Sequence, residues 1–105
     1  MRVYRIGTIQ DDHGVLEVVN HLKPLQDLVG GYIEVVYIPE FEEQGIILLA
    51  NEEGLLKGLD YNENMWPFFY VGNLVALSTD GEEFASLTEY QIQWLLEWFD
   101  ENEKV

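Results

Sequence analysis

Residues 32–50 read YIEVVYIPEFEEQGIILLA, and this stretch decides the predicted fold. Residues 32–38 are rich in β-branched and aromatic side chains, a composition that favours a β-strand. Residues 46–50 form an apolar run of the length of a buried strand. The acidic segment 40–45 lies between them and is predicted to be a loop. The sequence therefore predicts two strands that pair with each other.

The segments before this stretch predict a hairpin and a short helix. Residues 2–9 alternate in polarity and predict a strand, residues 10–14 a turn, and residues 15–19 its hairpin partner. Pro24, at or near a first helical position, opens a short helix, and the Gly30-Gly31 pair ends it.

The segments after it predict turns and further strands. Residues 51–54 and 58–64 have the composition of a turn and a loop. Residues 68–71 and 74–77 flank Gly72-Asn73, which is the composition of a tight hairpin. A single strand with a glycine bulge is the alternative.

The last helix is marked by a capping box. Thr88 is followed three residues later by Gln91, and apolar residues at helical spacing follow. The face predicted to pack on the sheet consists of Ile92, Leu95, Leu96 and Phe99. Together these elements predict an α+β fold, with a mostly antiparallel sheet of five or six strands. A short helix near 23–29 and a longer C-terminal helix near 89–101 pack on this sheet.

The same helix carries a second apolar stripe. Tyr90, Trp94 and Trp98 recur every fourth residue on roughly the opposite face, bordered by Glu97 and Glu101. One interpretation is that another layer, a loop or a second copy of the chain covers the stripe. The other is that its aromatic side chains are anchors for a partner, because such residues dominate interface energies. A homodimer would satisfy both.

Length and composition predict one soluble domain over residues 1–105. The chain has 48% hydrophobic residues, including three Trp, six Tyr and five Phe, which is ample for a core. It has no cysteine, so it can form no disulfide or thiolate metal site. The sequence shows no signal peptide and no apolar run of membrane-spanning length. We therefore expect a cytoplasmic protein without a membrane partner.

The charge balance is extreme. Twenty Asp and Glu stand against five Lys and Arg, for a net charge of −15, and residues 58–103 contain no Lys or Arg. Direct binding to nucleic acid is not expected, because phosphate backbones are bound by clustered Lys and Arg. The acidic surface either keeps the protein soluble or imitates nucleic acid and seeks a basic partner.

No motif predicts catalysis, a metal or a cofactor. Asp60 begins a segment that resembles a calcium loop, but Met65 replaces the required glycine and Val71 the bidentate glutamate. His13 and His21 have no neighbour at metal-ligand spacing. The sequence predicts a non-enzymatic protein.

Three strings resemble an uncharacterised family of short proteins from phages and other mobile elements. They are Val29-Gly30-Gly31-Tyr32-Ile33-Glu34, Asn51-Glu52-Glu53-Gly54 and the closing Ser86-Leu87-Thr88 with Gln91-Ile92. The resemblance implies a phage or plasmid setting and a compact α+β domain. It implies no activity and no catalytic residues.

In that setting, the leading hypothesis is an anti-defence inhibitor that mimics nucleic acid. It would block a basic groove of a host nuclease, either a CRISPR effector or a restriction enzyme, through carboxylates and aromatic anchors. The predicted partner-binding residues are Tyr90, Trp94, Trp98, Glu97, Glu101, Asp80, Glu82, Glu83, Glu52 and Glu53. The alternatives are a homo-oligomeric phage protein and a small-ligand sponge, with a pocket around Asn51, Asn62, Trp66 and Tyr70.

Overall fold

The computed structural model describes residues 1–8 and 12–102, and the side chains of residues 1–8 and 12–100. Six strands are present in this part of the chain: β1 (Arg2–Ile6), β2 (Gly14–Glu17), β3 (Ile33–Val36), β4 (Ile46–Asn51), β5 (Leu74–Asp80) and β6 (Glu83–Ala85). The α-helices are α1 (Leu22–Val29), α2 (Pro39–Glu42) and α3 (Glu89–Asn102), and Glu63–Met65 form a 3-10 turn.

The strands form one antiparallel sheet. Its order is β2-β1-β5-β4-β3, and β6 pairs with the far end of β5. The predicted pairing of the two central segments is confirmed, since β3 and β4 pair from Ile33 opposite Asn51 to Val36 opposite Leu48. The predicted α+β fold is therefore confirmed.

Helices cover both faces of the sheet. On one face, α2 and α3 pack on a core that includes Leu48, Leu74 and Leu95. On the other, α1 packs through Leu25 and Val29. Because successive side chains of a strand point to opposite faces, a strand covered on both sides buries every residue, and all six residues of β4 are buried.

Helix α1 confirms the predicted helix near 23–29. It begins at Leu22, so Pro24 lies in the first turn, where a missing N–H costs no helical hydrogen bond. It ends at Gly30, whose φ of 82° lies in the left-handed region and whose N–H donates to the Gln26 carbonyl at 2.8 Å.

Two predicted segments are corrected. Segment 40–45 is not entirely a loop, because Pro39 opens the single turn α2 and Phe41 at its centre is fully buried. Residues 68–71 do not form a strand. Instead Asn62 N donates to Tyr70 O at 2.8 Å and Gly72 N to Asp60 O at 2.7 Å. The predicted hairpin fails because β1 and β4 already occupy both edges of the first half of β5.

Residues 52–73 connect β4 to β5, and we call them the connecting loop. Asn62 is the main attachment of this loop. The Asn62 side-chain amide is fully buried and donates to the carbonyls of Ile6 and Gly72, each at 2.8 Å. Asn64 Nδ2 donates to the Gly7 carbonyl at 2.7 Å. The loop is thereby fixed to the end of β1.

Candidate functional site

Helix α3 begins at the predicted capping box. Thr88 N donates to Gln91 Oε1 at 2.9 Å, and Gln91 N donates to Thr88 Oγ1 at 3.1 Å. Gln91 is buried, and its Nε2 also donates to Ser78 Oγ and the Gln44 carbonyl. These bonds join the start of α3 to the sheet end where β4 begins.

The aromatic stripe of α3 runs from solvent into the core. Tyr90 is 68% exposed, Trp94 is half-buried and Trp98 is 8% exposed. Each helical residue advances about 100° around the axis, so residues four apart differ by about 40°. The stripe therefore rotates by about 80° between Tyr90 and Trp98, which is enough to carry it from one environment to the other.

Helix α2 covers the buried end of the stripe. Trp98 Nε1 donates to a Glu40 carboxylate oxygen at 3.0 Å, and the rings of Trp94 and Trp98 both meet Phe41 edge-on. The sequence allows the stripe to be interpreted either as covered or as a set of aromatic anchors for a partner. Another part of the same chain covers Trp98 and partly covers Trp94. Trp98 stabilises the fold, and Tyr90 is the exposed aromatic residue of the stripe.

The core face of α3 is rotated from the predicted one. Ile92, Leu95 and Phe99 are buried as expected, but the prediction for Leu96 is wrong, because this residue is 42% exposed. The buried arc is centred near Leu95 because α2 extends it towards Trp98. Glu97 is exposed, and the Glu101 side chain lies outside the described residues.

The predicted acidic residues fall at opposite ends of the sheet. Asp80, Glu82 and Glu83 are exposed around the β5–β6 turn, close to where β4 begins. Glu42 and Glu43 precede β4 at the same end, and we call these five carboxylates the acidic end. Glu52 and Glu53 follow β4, about 17 Å away along a strand of six residues. One small site cannot contain both groups.

Few carboxylates have a cationic partner. Four ion pairs occur within the described part of the chain: the Met1 amino group with Glu17, Arg2 with Glu89, Lys23 with Asp27, and Lys57 with Glu53. None of these pairs involves the acidic end or Glu97. The negative potential of these surfaces is therefore not cancelled locally.

A groove of about 550 Å³ lies beside β3, at the end of the sheet opposite the acidic end. Its lining comes from β3, the end of β4 and the connecting loop: Glu34, Val35, Val36, Ala50, Asn51, Glu52, Gly54, Leu55, Leu56, Phe69, Tyr70 and Val71. Leu55, Leu56 and Phe69 are exposed apolar side chains, Leu56 at 88%. Glu34 and Glu52 are its charged groups, and its lining contains no Lys, Arg or His.

The groove agrees only partly with the pocket proposed from the sequence. Asn51 and Tyr70 line it, but Asn62 is buried in hydrogen bonds to the backbone and Trp66 is outside the lining. Sequence reasoning missed Leu55, Leu56 and Phe69. The available signal was the adjacent leucines in a polar turn, which fit neither strand nor helix periodicity.

Asn51 holds one wall of the groove in place. Its Nδ2 donates to the Val29 carbonyl at 3.2 Å, and its Oδ1 accepts from Glu53 N at 2.8 Å. Glu52 N donates to the Tyr32 carbonyl at 2.8 Å. This buried asparagine thus joins α1 to the turn after β4.

Tyr70, which lines the groove, has a raised pKa. Burial raises the pKa of its phenol above the ordinary value of 10.0, and the negative charge of Glu34 raises it further. The folded state therefore holds this proton more tightly than the unfolded state. The resulting stability is present below the unfolded pKa and is lost as the pH rises above it.

Glu34→Gln is expected to lower the pKa of Tyr70 only part of the way to its ordinary value, because burial is the larger cause. Carbon NMR of ring-labelled tyrosine measures the titration, with Tyr70→Phe to assign the resonance. Glu97→Gln, at an exposed position of α3, is the control for net charge. An equal decrease in both glutamine variants would contradict a local Glu34–Tyr70 interaction.

The part of the chain that the structure describes contains neither a cluster of potential metal ligands nor a helix suited to crossing a membrane. Across residues 1–8 and 12–102, no three His, Cys, Asp or Glu side chains are grouped as potential metal ligands. None of the described helices combines the length and the apolar character needed to cross a bilayer.

Comparison with known proteins identifies a family. Residues 1–100 match the family model described as Domain of unknown function (DUF3846). The chain belongs to this family. No curated protein and no solved structure matches it.

Two of the strings that resembled a family meet at the groove of this DUF3846 chain. Glu34 from the first string lines the groove together with Asn51, Glu52 and Gly54 from the second. A Cβ on Gly31 would lie 3.0 Å from Asn51 Nδ2 and 2.9 Å from Lys57 Nζ, so the first string packs closely on the second. Distant sequence segments thus build one wall.

Proposed function

We propose that this protein is a non-enzymatic binding protein whose acidic surface engages a protein partner with a basic surface. The observation that supports the proposal is the unpaired charge. The five carboxylates of the acidic end and Glu97 are exposed and outside every ion pair of the described residues. With a net charge of −15, such a surface attracts cationic partners over about one Debye length.

The partner class we propose is a host nucleic-acid-binding protein, and specifically a nuclease such as a CRISPR effector or a restriction enzyme. A basic groove made for phosphates binds exposed carboxylates by the same release of counterions. The resemblance to proteins of phages and mobile elements supports an anti-defence role. In this role, Tyr90 and the half-buried Trp94 supply fixed aromatic contacts beside Glu97.

Charge reversal at the acidic end is expected to slow association. The variant Asp80→Lys with Glu82→Lys and Glu83→Lys removes the electrostatic steering of a basic partner, so kon falls by tenfold or more at low salt and its salt dependence flattens. The measurement is surface plasmon resonance at several salt concentrations. The analyte is a nuclease recovered with the tagged protein from a host lysate and eluted by competing DNA or RNA.

Its control is a variant with the same change in net charge at the opposite end of the sheet, Asp12→Lys with Asp60→Lys and Glu63→Lys. This control is expected to change kon far less, because steering depends on charges near the interface. Binding by the unmutated protein that does not depend on salt would reject the mimicry proposal. Tyr90→Ala probes the aromatic contact and is expected to raise koff.

A second candidate function, ligand binding, has one specific observation in its favour, which is the groove beside β3. Its volume of about 550 Å³ falls within the range of small-molecule sites. A ligand-induced increase in melting temperature would reveal it. Self-association of the chain is the third hypothesis, and analytical ultracentrifugation at several protein concentrations tests it.

A further inference from the structure

Strand β3 is an open edge of the sheet. It pairs with β4 on one side, and on its other side no strand pairs with it within residues 1–8 and 12–102. An unpaired edge presents backbone N–H and C=O groups to which another extended chain can add. The groove lies beside this edge.

The register shows which backbone groups are free. The hydrogen bond from Glu52 N to Tyr32 O makes Tyr32 and Glu52 a bonded pair, and bonded and non-bonded pairs alternate along an antiparallel ladder. Glu34 and Val36 therefore direct their backbone groups towards β4. Ile33 and Val35 direct theirs towards the open edge.

The groove itself includes this edge. Val35 packs its side chain in the α1-side core, whereas Val36 packs on the opposite, α3-side core. Because side chains alternate between faces, Val35 contributes to the groove lining through its backbone. An added strand would thus pair with the backbone of Val35 while its own side chains enter the groove.

The lining specifies the chemistry of the added strand. Glu34 projects to the groove face of the edge, Glu52 follows two residues after its cross-strand neighbour Ala50, and the lining contains no cation. The apolar part consists of Leu55, Leu56 and Phe69. A complementary strand places a Lys or Arg beside Glu34 and apolar side chains over the leucines and phenylalanine.

We propose that β3 and the adjacent groove bind an extended peptide segment of a partner protein, with a basic residue between apolar residues on its groove-facing positions. This surface is separate from the acidic end, so the proposal does not depend on the function proposed above. A second copy of this chain is a poor occupant. Pairing two β3 edges would bring together two molecules of charge −15 and place Glu34 near its counterpart.

The probe is a fluorescent peptide with blocked termini and the sequence Leu-Thr-Lys-Thr-Leu-Thr, whose alternate Leu and Lys residues share one strand face. Fluorescence anisotropy measures its affinity for the full chain, and proton–nitrogen NMR locates the site. The largest shifts are expected at the amides of Ile33 and Val35. The same peptide with N-methyl groups at its edge-pairing residues is expected to lose at least tenfold in affinity, because it cannot form the backbone bonds.

Two substitutions test the side-chain contacts. Glu34→Lys is expected to weaken binding by about tenfold or more, as the loss of a charge-assisted hydrogen bond does. Glu97→Lys changes the net charge equally at a distant surface and is expected to leave affinity within about twofold at moderate salt. Leu56→Ser, at a highly exposed position, is expected to weaken binding without loss of thermal stability.

Several results would overturn the proposal. One is equal binding of the N-methylated peptide, and another is an equal loss of affinity in Glu34→Lys and Glu97→Lys. A third is a concentration-dependent dimer, seen by analytical ultracentrifugation, that Leu56→Ser dissociates and that excludes the peptide. If the acidic-end variant loses salt-dependent partner binding but keeps its affinity for the peptide, the two binding surfaces act independently. That result would bear on the function proposed above and would not overturn the peptide site.

Discussion

Trp98→Ala is expected to destabilise the protein by about 3–5 kcal/mol, the usual cost of truncating a buried Trp to Ala. Trp98 is 8% exposed, meets Phe41 and Phe99 edge-on with ring centroids 5.0 and 4.9 Å away, and donates to Glu40. The alanine leaves a cavity between α2, α3 and the sheet. Such a loss is a large share of the roughly 5–15 kcal/mol that stabilises a typical domain.

Urea unfolding followed by circular dichroism measures this effect. Tyr90→Ala is the matched control, because Tyr90 belongs to the same stripe but is exposed, and a change within about 0.5 kcal/mol is expected. Trp98→Phe retains most of the side-chain volume but loses the hydrogen bond to Glu40. Its loss of stability is therefore expected to lie between those of Trp98→Ala and Tyr90→Ala. Equal stabilities of Trp98→Ala and Tyr90→Ala would contradict the packing of α2 on α3.

Asn62→Ala is expected to destabilise the protein by about 2–5 kcal/mol. The fully buried Asn62 amide donates to the carbonyls of Ile6 and Gly72, and its Oδ1 accepts from Asn64 N at 3.1 Å. Alanine leaves the Ile6 carbonyl of β1 without its bond, and likewise the Gly72 carbonyl and the Asn64 N–H of the connecting loop. Each unsatisfied buried group costs about 1–3 kcal/mol, less where water enters.

Hydrogen exchange adds a local measurement to the urea unfolding of Asn62→Ala. The amides of Asn62 and Gly72, which bond to Tyr70 O and Asp60 O, are expected to lose protection more than those of β4. Asn20→Ala is the control, because the exposed Asn20 amide donates one bond to the Phe84 carbonyl. A stability loss no larger than that of Asn20→Ala would show that Asn62 does not hold the loop.

Asn62→Ala is also expected to alter the groove. Phe69, Tyr70 and Val71 form one of its walls, and Asn62 and Asp60 hold that segment through backbone bonds. Loosening the loop is therefore expected to lower peptide affinity even where the chain remains folded. The acidic end lies at the other end of the sheet, so its charge-driven binding is expected to persist.

The limits of sequence reasoning are visible in α3. The capping box identified its beginning correctly because Thr88 and Gln91 interact locally, within three residues. The assignment of its faces depended on what packs against it. Phe41 lies far away in sequence, and only its contact with Trp98 shows that the buried arc extends beyond Leu95 and leaves Leu96 outside.

His13 shows the same limit. In the sequence it is an isolated turn residue, but in the fold its Nε2 lies 3.0 Å from Tyr4 Oη and its ring meets Phe99 edge-on. The groove likewise unites residues 34–36, 50–52, 54–56 and 69–71, which no short motif connects.

By itself, the sequence determined the charge, the absence of cysteine, the α+β class, the pairing of the two central strands and the termini of the last helix. These features depend on composition, on periodicity and on interactions between near neighbours. Only the tertiary structure decided that Trp98 is covered, that the acidic residues separate to opposite ends of the sheet, and that β3 is an open edge beside a groove. These features depend on contacts between segments distant in sequence, and local patterns do not encode which segments meet.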